Sequence, residues 1–324
     1  MSAINLVLGG AVFWNQNDWA TEDVVAYLDA LAVGGVKEID SAQVYGDSEL
    51  ILGNNGASNR FDISTKIPGA ISPGSFRREE VVGRTHQSLE RLRIAQLDIL
   101  YLHSPDCSIP IEETLAGVQE LYAAGVFHRF GISNYTVDEV RLIHDHQRRK
   151  GWVLPTVYQG NYNPVARSYE ASLIPTLREL QIAFYAYSPA AGGFLAKSKQ
   201  QIFDGAGRFE KNAGPLSDLY HALYNRPSLV EALEAWHEIT RDAGCSPYNL
   251  AVRWVVLNSV LKPEYGDAVI IGPGTTERLQ DVVNGVKQGS LQHDIVQRID
   301  ALWKTVSHEA PVDNASVNLQ LNKK

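Results

Sequence analysis

Cysteine is scarce: the 324 residues hold two, Cys107 and Cys245, far apart and outside any CxxC or Cys/His spacing. That argues against a disulfide framework and gives no sign of a zinc site, so no metal is expected and a reducing, cytoplasmic setting fits. Positive charge is also in deficit. Lys+Arg number 29 against 37 Asp+Glu, a formal net charge of -8, which offers no field to a phosphate backbone and makes nucleic acid an unexpected partner. No stretch reaches the ~18 uninterrupted apolar residues of a membrane span, and residues 1–12 lack the basic start and long apolar core of a secretion signal, so no membrane association is expected. GxGxxG after a strand, GxxxxGK[ST], tandem repeats, low-complexity tracts and dividing linkers are absent too. A Rossmann domain, a P-loop and a multidomain array drop out together.

What remains is a regular alternation of short apolar runs with longer amphipathic stretches, in a chain that is 44% hydrophobic. Candidate strands fall at 6–12, 36–39, 61–65, 97–102, 129–132, 156–159, 183–187 and 268–271. Helical patterns fall between them at 21–32, 48–52, 75–92, 111–124, 137–149, 170–180, 229–243 and 277–286, with a further one at 247–258. Alternation of this kind predicts a parallel sheet wrapped in helices, and eight strands is the count that closes a filled barrel. The expectation is an α/β fold, a single (β/α)8 barrel over residues 1–324. Two stretches break the rhythm. Residues 192–226, after the seventh strand, carry scattered Gly and Pro with no clear period, and a long loop there suits a ligand cover at the barrel mouth. The tail, 310–324, is polar and Asn-rich; fraying and folding over the mouth both stay open.

Residues just past the C-terminal ends of barrel strands face the ligand. Those ends supply Asp40, with Tyr45 on the loop beyond it, then Lys66, then His103. Singly, each has an ordinary structural reading: a helix cap, a half-buried aromatic, a solvated strand end, a satisfied histidine. Together they suit one chemistry. A lysine beside a phenol favours the phenolate and an aspartate keeps that lysine charged, so Tyr45 becomes a usable acid with Asp40 and Lys66 as its tuners. His103 can orient a carbonyl and stabilise charge growing on its oxygen. Addition to a C=O then needs a separate hydride source.

Later strands have groups to hold such a source. Ser133, Asn134 and Gln159 offer carboxamide partners, and Tyr187 offers a flat face for a nicotinamide ring. Ser188 and Pro189 lead into Gly192 and Gly193, where backbone can approach a pyrophosphate. After the eighth strand, Gly272, Gly274 and Thr275 form a small-residue turn that opens a helix, with Arg278 in its first turn; an anion there would offset the arginine's conflict with the helix dipole.

The runs Glu38-Ile39-Asp40-Ser41-Ala42-Gln43-Val44-Tyr45-Gly46, Ser64-Thr65-Lys66, Tyr101-Leu102-His103-Ser104-Pro105 and Gly131-Ile132-Ser133-Asn134-Tyr135 resemble the aldo-keto reductase superfamily over nearly the whole chain. Within it the sequence most resembles the aflatoxin-aldehyde reductase group. The resemblance implies NADPH-dependent reduction of an aldehyde or ketone, NADPH in preference to NADH. It implies Tyr45 as acid, Asp40 and Lys66 as tuners, His103 as carbonyl orienter, nicotinamide contacts from Ser133, Asn134, Gln159 and Tyr187, and Arg208 reaching the cofactor from the long loop. Departures from the pattern narrow the substrate. Arginine is missing from 218–224 and 311–315, where members that reduce acid-bearing aldehydes hold the carboxylate, so a small acid semialdehyde is not expected. Tyr220 and Tyr224 suit a larger, less charged carbonyl compound. Gly272 and Pro273 stand where many members carry a 2'-phosphate lysine, which leaves that contact to Arg278. Val282 replaces a common adenine-contacting asparagine beside a retained acid, Asp281. A monomer or homodimer fits such a barrel. The alternative reading is a non-catalytic cofactor-binding regulatory subunit of the same fold.

Overall fold

Short runs rich in Val, Ile and Leu, buried on both faces, make the strands of a parallel sheet. The computed structural model describes residues 4–15, 18–211 and 214–321. Its strands are β1 (Asn5–Gly9), β2 (Glu38–Asp40), β3 (Asp62–Ile67), β4 (Leu97–Leu102), β5 (Phe127–Ser133), β6 (Pro155–Asn161), β7 (Ala183–Tyr187) and β8 (Ala268–Ile271), all paired parallel in sequence order and closed by β8 on β1. This is the expected (β/α)8 barrel. β4, β7 and β8 have the bounds read from sequence. The first strand stops at Gly9, and residues Gly10–Phe13 turn in a 3-10 helix, because Gly10 lies tight against the next loop: a Cβ there would stand 2.8 Å from Ser48 Oγ and 3.2 Å from Asp40 O.

The outer layer holds α1 (Thr21–Val33), α2 (Ser48–Asn54), α3 (Arg78–Leu92), α4 (Ile111–Ala123), α5 (Val137–Lys150), α6 (Leu173–Glu179), α7 (Lys199–Asp204), α8 (Pro215–Tyr224), α9 (Pro227–Ala243), α10 (Pro247–Arg253), α11 (Thr276–Lys287), α12 (His293–Val306) and α13 (Asn314–Leu321). Two expectations are corrected, and the open question of the tail is answered. α12 is absent from the helices read from sequence, although Ile295, Ile299, Leu302 and Val306 bury one face of it with helical spacing. The aperiodic stretch 192–226 is built from short pieces: 3-10 turns at Ala191–Ala196 and Gly207–Phe209, plus α7 and α8, with Ser198 and Gln201 forming a capping box on α7. The tail folds. Ala315 and Val317 are buried, and α13 packs on α8; residues 322–324 lie outside the described residues.

Inside the barrel, Val7, Ile99, Tyr101, Val157, Tyr185, Ala268 and Ile270 form a separate cluster. Gly131 makes room for it, since a Cβ there would meet the Tyr101 ring at 2.3 Å. At the lower end, Arg129 donates to Asp98 Oδ1 at 3.0 Å, Tyr185 OH at 3.0 Å and Glu38 Oε2 at 3.1 Å. One guanidinium thus joins β2, β4, β5 and β7 and closes the floor. With the lumen filled from below, side chains that point inward at the upper strand ends converge on the mouth. Among the described residues no helix is long and apolar enough to cross a membrane.

Candidate active site

Strand alternation puts Asp40, Lys66 and Gln159 on the inward side near the upper ends of β2, β3 and β6. Lys66, 0% exposed, donates from Nζ to Asp40 Oδ2 at 2.5 Å and to the Ser41 carbonyl at 2.7 Å. Gln159 Nε2 donates to the other oxygen, Asp40 Oδ1, at 3.0 Å. Burial pushes the Asp40 carboxyl up and the Lys66 ammonium down, each toward neutrality, and their mutual attraction opposes both shifts. The Lys66 ammonium also lies 4.8 Å from the centroid of the Tyr45 ring and 5.6 Å from that of Tyr101.

Tyr45 reaches this pair because the loop after β2 is locked. Ser41 and Ser48 join hydroxyls at 2.8 Å, Tyr45 N donates to Ala42 O at 3.0 Å, and Gly46, with φ +56, lies so close to Trp14 that a Cβ would be 2.0 Å from its carbonyl oxygen. Only glycine fits both that conformation and that approach. His103 meets Tyr45 edge-on, ring centroids 5.8 Å apart at 85°. Its main chain is fixed on both sides, N to Ile67 O and O to Asn134 Nδ2, each at 2.9 Å. All four residues named from the strand ends therefore come together.

Their electrostatics differ from expectation in one respect. Lysine was expected to lower the phenol's pKa, yet the Tyr45 hydroxyl is pushed up, first by burial and then by Asp40 and Tyr220, with Arg208 opposing. Asp40 lies against the Lys66 ammonium, and its own negative charge is among the groups that raise the phenol. The site therefore holds Tyr45 as a protonated acid. Burial, and next the Lys66 charge, press His103 well below the usual histidine range, so its imidazole is neutral at pH 7. His103 Nδ1 is buried with no hydrogen-bond partner among the described residues, and so is Asn161 Nδ2 at the end of β6.

The nominated cofactor residues divide. Ser133, Asn134, Gln159 and Tyr187 do share one rim, where Tyr187 OH donates to Asn134 Oδ1 at 2.8 Å and Asn134 holds φ +65. Ser188 turns the chain at φ +54 with its carbonyl accepting from Ala191 N at 2.8 Å, just before Pro189. Gly193 has open space where a side chain would be, but the room beside Gly192 is taken by Tyr220, whose Cε1 would be 1.9 Å from a Cβ. Arg208 donates to Tyr220 OH at 2.7 Å. Thr275 caps α11 through its hydroxyl, at 3.3 Å from Arg278 N, while Gly272 N donates to Tyr248 OH at 3.2 Å and Gly274 is open. Asp281 has a bracing role: its carboxylate accepts from Ser246 Oγ at 2.6 Å and Asn249 Nδ2 at 3.0 Å, which ties α11 to α10.

Tyr224 lies behind Tyr220. It is 0% exposed, stacked between Phe194 at 5.7 Å and Tyr220 at 6.4 Å, with its hydroxyl donating to Asn161 Oδ1 at 3.1 Å. Tyr220 remains near the chemistry through its effect on Tyr45.

Four residues at this rim have no place in the sequence reading. Trp14 is 45% exposed with its ring 6.1 Å from that of Tyr45. Lys197 has its ammonium pressed down by burial and by Arg278 and Arg208; no carboxylate among the described residues pairs with any of these three cations. Asn161 and Asn314 complete the set, the latter donating its backbone N–H to Tyr187 OH at 3.2 Å. A tryptophan and asparagines at loop ends give no periodic signal. Only Lys197, beside the Gly-rich turn at 191–193, was within reach of sequence logic.

An orphaned imidazole nitrogen, an orphaned amide and three unpaired cations fit a bound dinucleotide with phosphate groups. Comparison with known proteins agrees with the fold. Residues 5–304 match the family described as Aldo/keto reductase family. The chain is 36% identical over 287 residues to Oxidoreductase sirO of Leptosphaeria maculans, covering 88% of this chain and 87% of that protein. It is 36% identical over 300 residues to human Aflatoxin B1 aldehyde reductase member 2, covering 88% and 83%, and 35% identical over 326 residues to human Aldo-keto reductase family 7 member A3, covering 94% and 95%.

Proposed function

The chain belongs to the aldo/keto reductase family, and from that membership we propose that it is an NADPH-dependent reductase of an uncharged, medium-sized aldehyde or ketone. The observation that carries the reading is the buried Lys66–Asp40 pair set under Tyr45 with neutral His103 edge-on to it.

NADPH, when bound, would be the source of the hydride that the carbonyl carbon takes up. Ser133, Asn134, Gln159 and Tyr187 would hold its nicotinamide, and Arg208, Arg278 and Lys197 its phosphates, with Gly193, Gly272, Gly274 and Thr275 giving backbone room and donors. The neutral His103 ring donates a hydrogen bond to the substrate oxygen and fixes its direction. Tyr45 gives its hydroxyl proton to that oxygen as negative charge builds there. The phenolate left behind faces the Lys66 ammonium, which stabilises it at the moment it forms, while Asp40 keeps the ammonium charged. Trp14 and Tyr220 supply aromatic walls, and neither 218–224 nor 311–315 carries an arginine, which supports a substrate without a carboxylate.

The test is loss of NADPH absorbance with a panel of uncharged aldehydes and ketones, repeated with Tyr45→Phe. Removal of the proton donor should lower kcat by roughly 10²–10⁴ with NADPH still bound; near-normal turnover by the variant would refute the assignment. Tight NADPH binding without turnover of any carbonyl would instead fit a cofactor-binding regulatory subunit.

A further inference from the structure

A nicotinamide carboxamide needs a donor for its oxygen, and the amides at the barrel mouth can be counted. Asn134 has both amide hydrogens engaged, on His103 O at 2.9 Å and Ser133 Oγ at 3.0 Å. Gln159 directs one of its two to Asp40. Asn161, the last residue of β6 and 1% exposed, has neither engaged.

The orientation of that amide follows from a backbone N–H, which can only donate. Val165 N donates to Asn163 Oδ1 at 3.1 Å, so the Asn163 NH2 faces Ser188 O and Tyr224 OH, each at 3.2 Å, and Asn161 at 3.4 Å. Facing a donor, Asn161 must turn its oxygen there, where it also accepts from Tyr224 OH. Its NH2 is thereby directed away from the Tyr224 side. Asn161 is two residues beyond Gln159, hence on the same inward side of β6, and it sits opposite Tyr187 in the β6–β7 register. A buried amide donor without a partner destabilises the ligand-free protein, and such a group calls for a completing ligand.

We propose that Asn161 is a further cofactor-binding residue whose side-chain NH2 donates to the carboxamide oxygen of the nicotinamide. The proposal rests on the NADPH reading above. Tyr224 and Asn163 then act through it as positioning residues that hold the donor outward.

The experiment measures Kd by quenching of intrinsic tryptophan fluorescence, without substrate, for NADPH and for its thionicotinamide analogue, in which a weakly accepting sulfur replaces the carboxamide oxygen. The native chain should prefer NADPH. Asn161→Leu should bind NADPH at least ten-fold more weakly and bind the two cofactors nearly alike. An undiminished preference for NADPH in that variant overturns the proposal, whatever happens to Kd, because damage to packing would weaken both cofactors together. Asn161→Ala is read by the same two outcomes where the leucine variant does not fold. Failure of the native chain to bind either cofactor overturns this proposal and the NADPH reading with it; native binding with no discrimination overturns this proposal alone.

Discussion

Lys66 and Asp40 form a buried ion pair whose value lies in being complete. Removing one partner leaves the other charge stranded, at about 3–5 kcal/mol. Asp40→Asn should therefore lower stability by that order in a denaturant titration, and Asp40→Asn/Lys66→Met should recover much of it; a double variant as unstable as the single would mean the stranded charge is not the cause. His103 gives a pH test. The unfolded imidazole takes up a proton near its ordinary 6.5, while the folded one, held well below that, does not. Stability is therefore lost as pH falls through that range. The profile of kcat/KM for reduction should show no limb near 6.5, and a limb there would mean that His103 titrates in the free enzyme. These four residues were legible because short apolar runs located the strands, and strand ends locate a barrel mouth. The direction of the Tyr45 shift was not, because it is set first by burial of the hydroxyl and next by the Asp40 charge, both products of the tertiary fold. Asn161 escaped for a related reason: its meaning lies in a partner it lacks, and sequence records no partners.

At the scale of elements, β4, β7 and β8 were read to the residue and α9 and α11 to within two, while α7, α8, α12 and α13 were not read. α7 and α8 are short, and their order comes from packing on one another and on the barrel, a tertiary effect that propensity does not carry. α13 belongs with them. It lies on α8 and delivers the Asn314 N–H to Tyr187, which in turn bonds Asn134, which bonds the His103 carbonyl. The tail is thus three hydrogen bonds from the proposed carbonyl orienter. A chain ended after Glu309 keeps the clamp in which Arg226 donates to Glu309 O at 2.6 Å and Ser228 N to its carboxylate at 2.8 Å. It should retain native circular dichroism while binding NADPH several-fold more weakly; unchanged affinity would detach the tail from the site.

For the molecule as a whole, the net charge of -8 is the background against which Lys197, Arg208 and Arg278 gather close enough to act on one another. Lys197, Arg208 and Arg278 stand unpaired by carboxylates among the described residues, so an anionic ligand meets its attraction there and repulsion elsewhere. Lys197→Ala and Arg278→Ala should weaken NADPH more than NADH, and added salt should narrow the gap between the two cofactors. Equal losses for both would show that the patch does not read the extra phosphate.

The floor built by Arg129 bears on how such a molecule is filled and emptied. With Glu38, Asp98 and Tyr185 gathered beneath it, the barrel is a cup. A cup has one brim, and whatever settles deepest is the last to be lifted out.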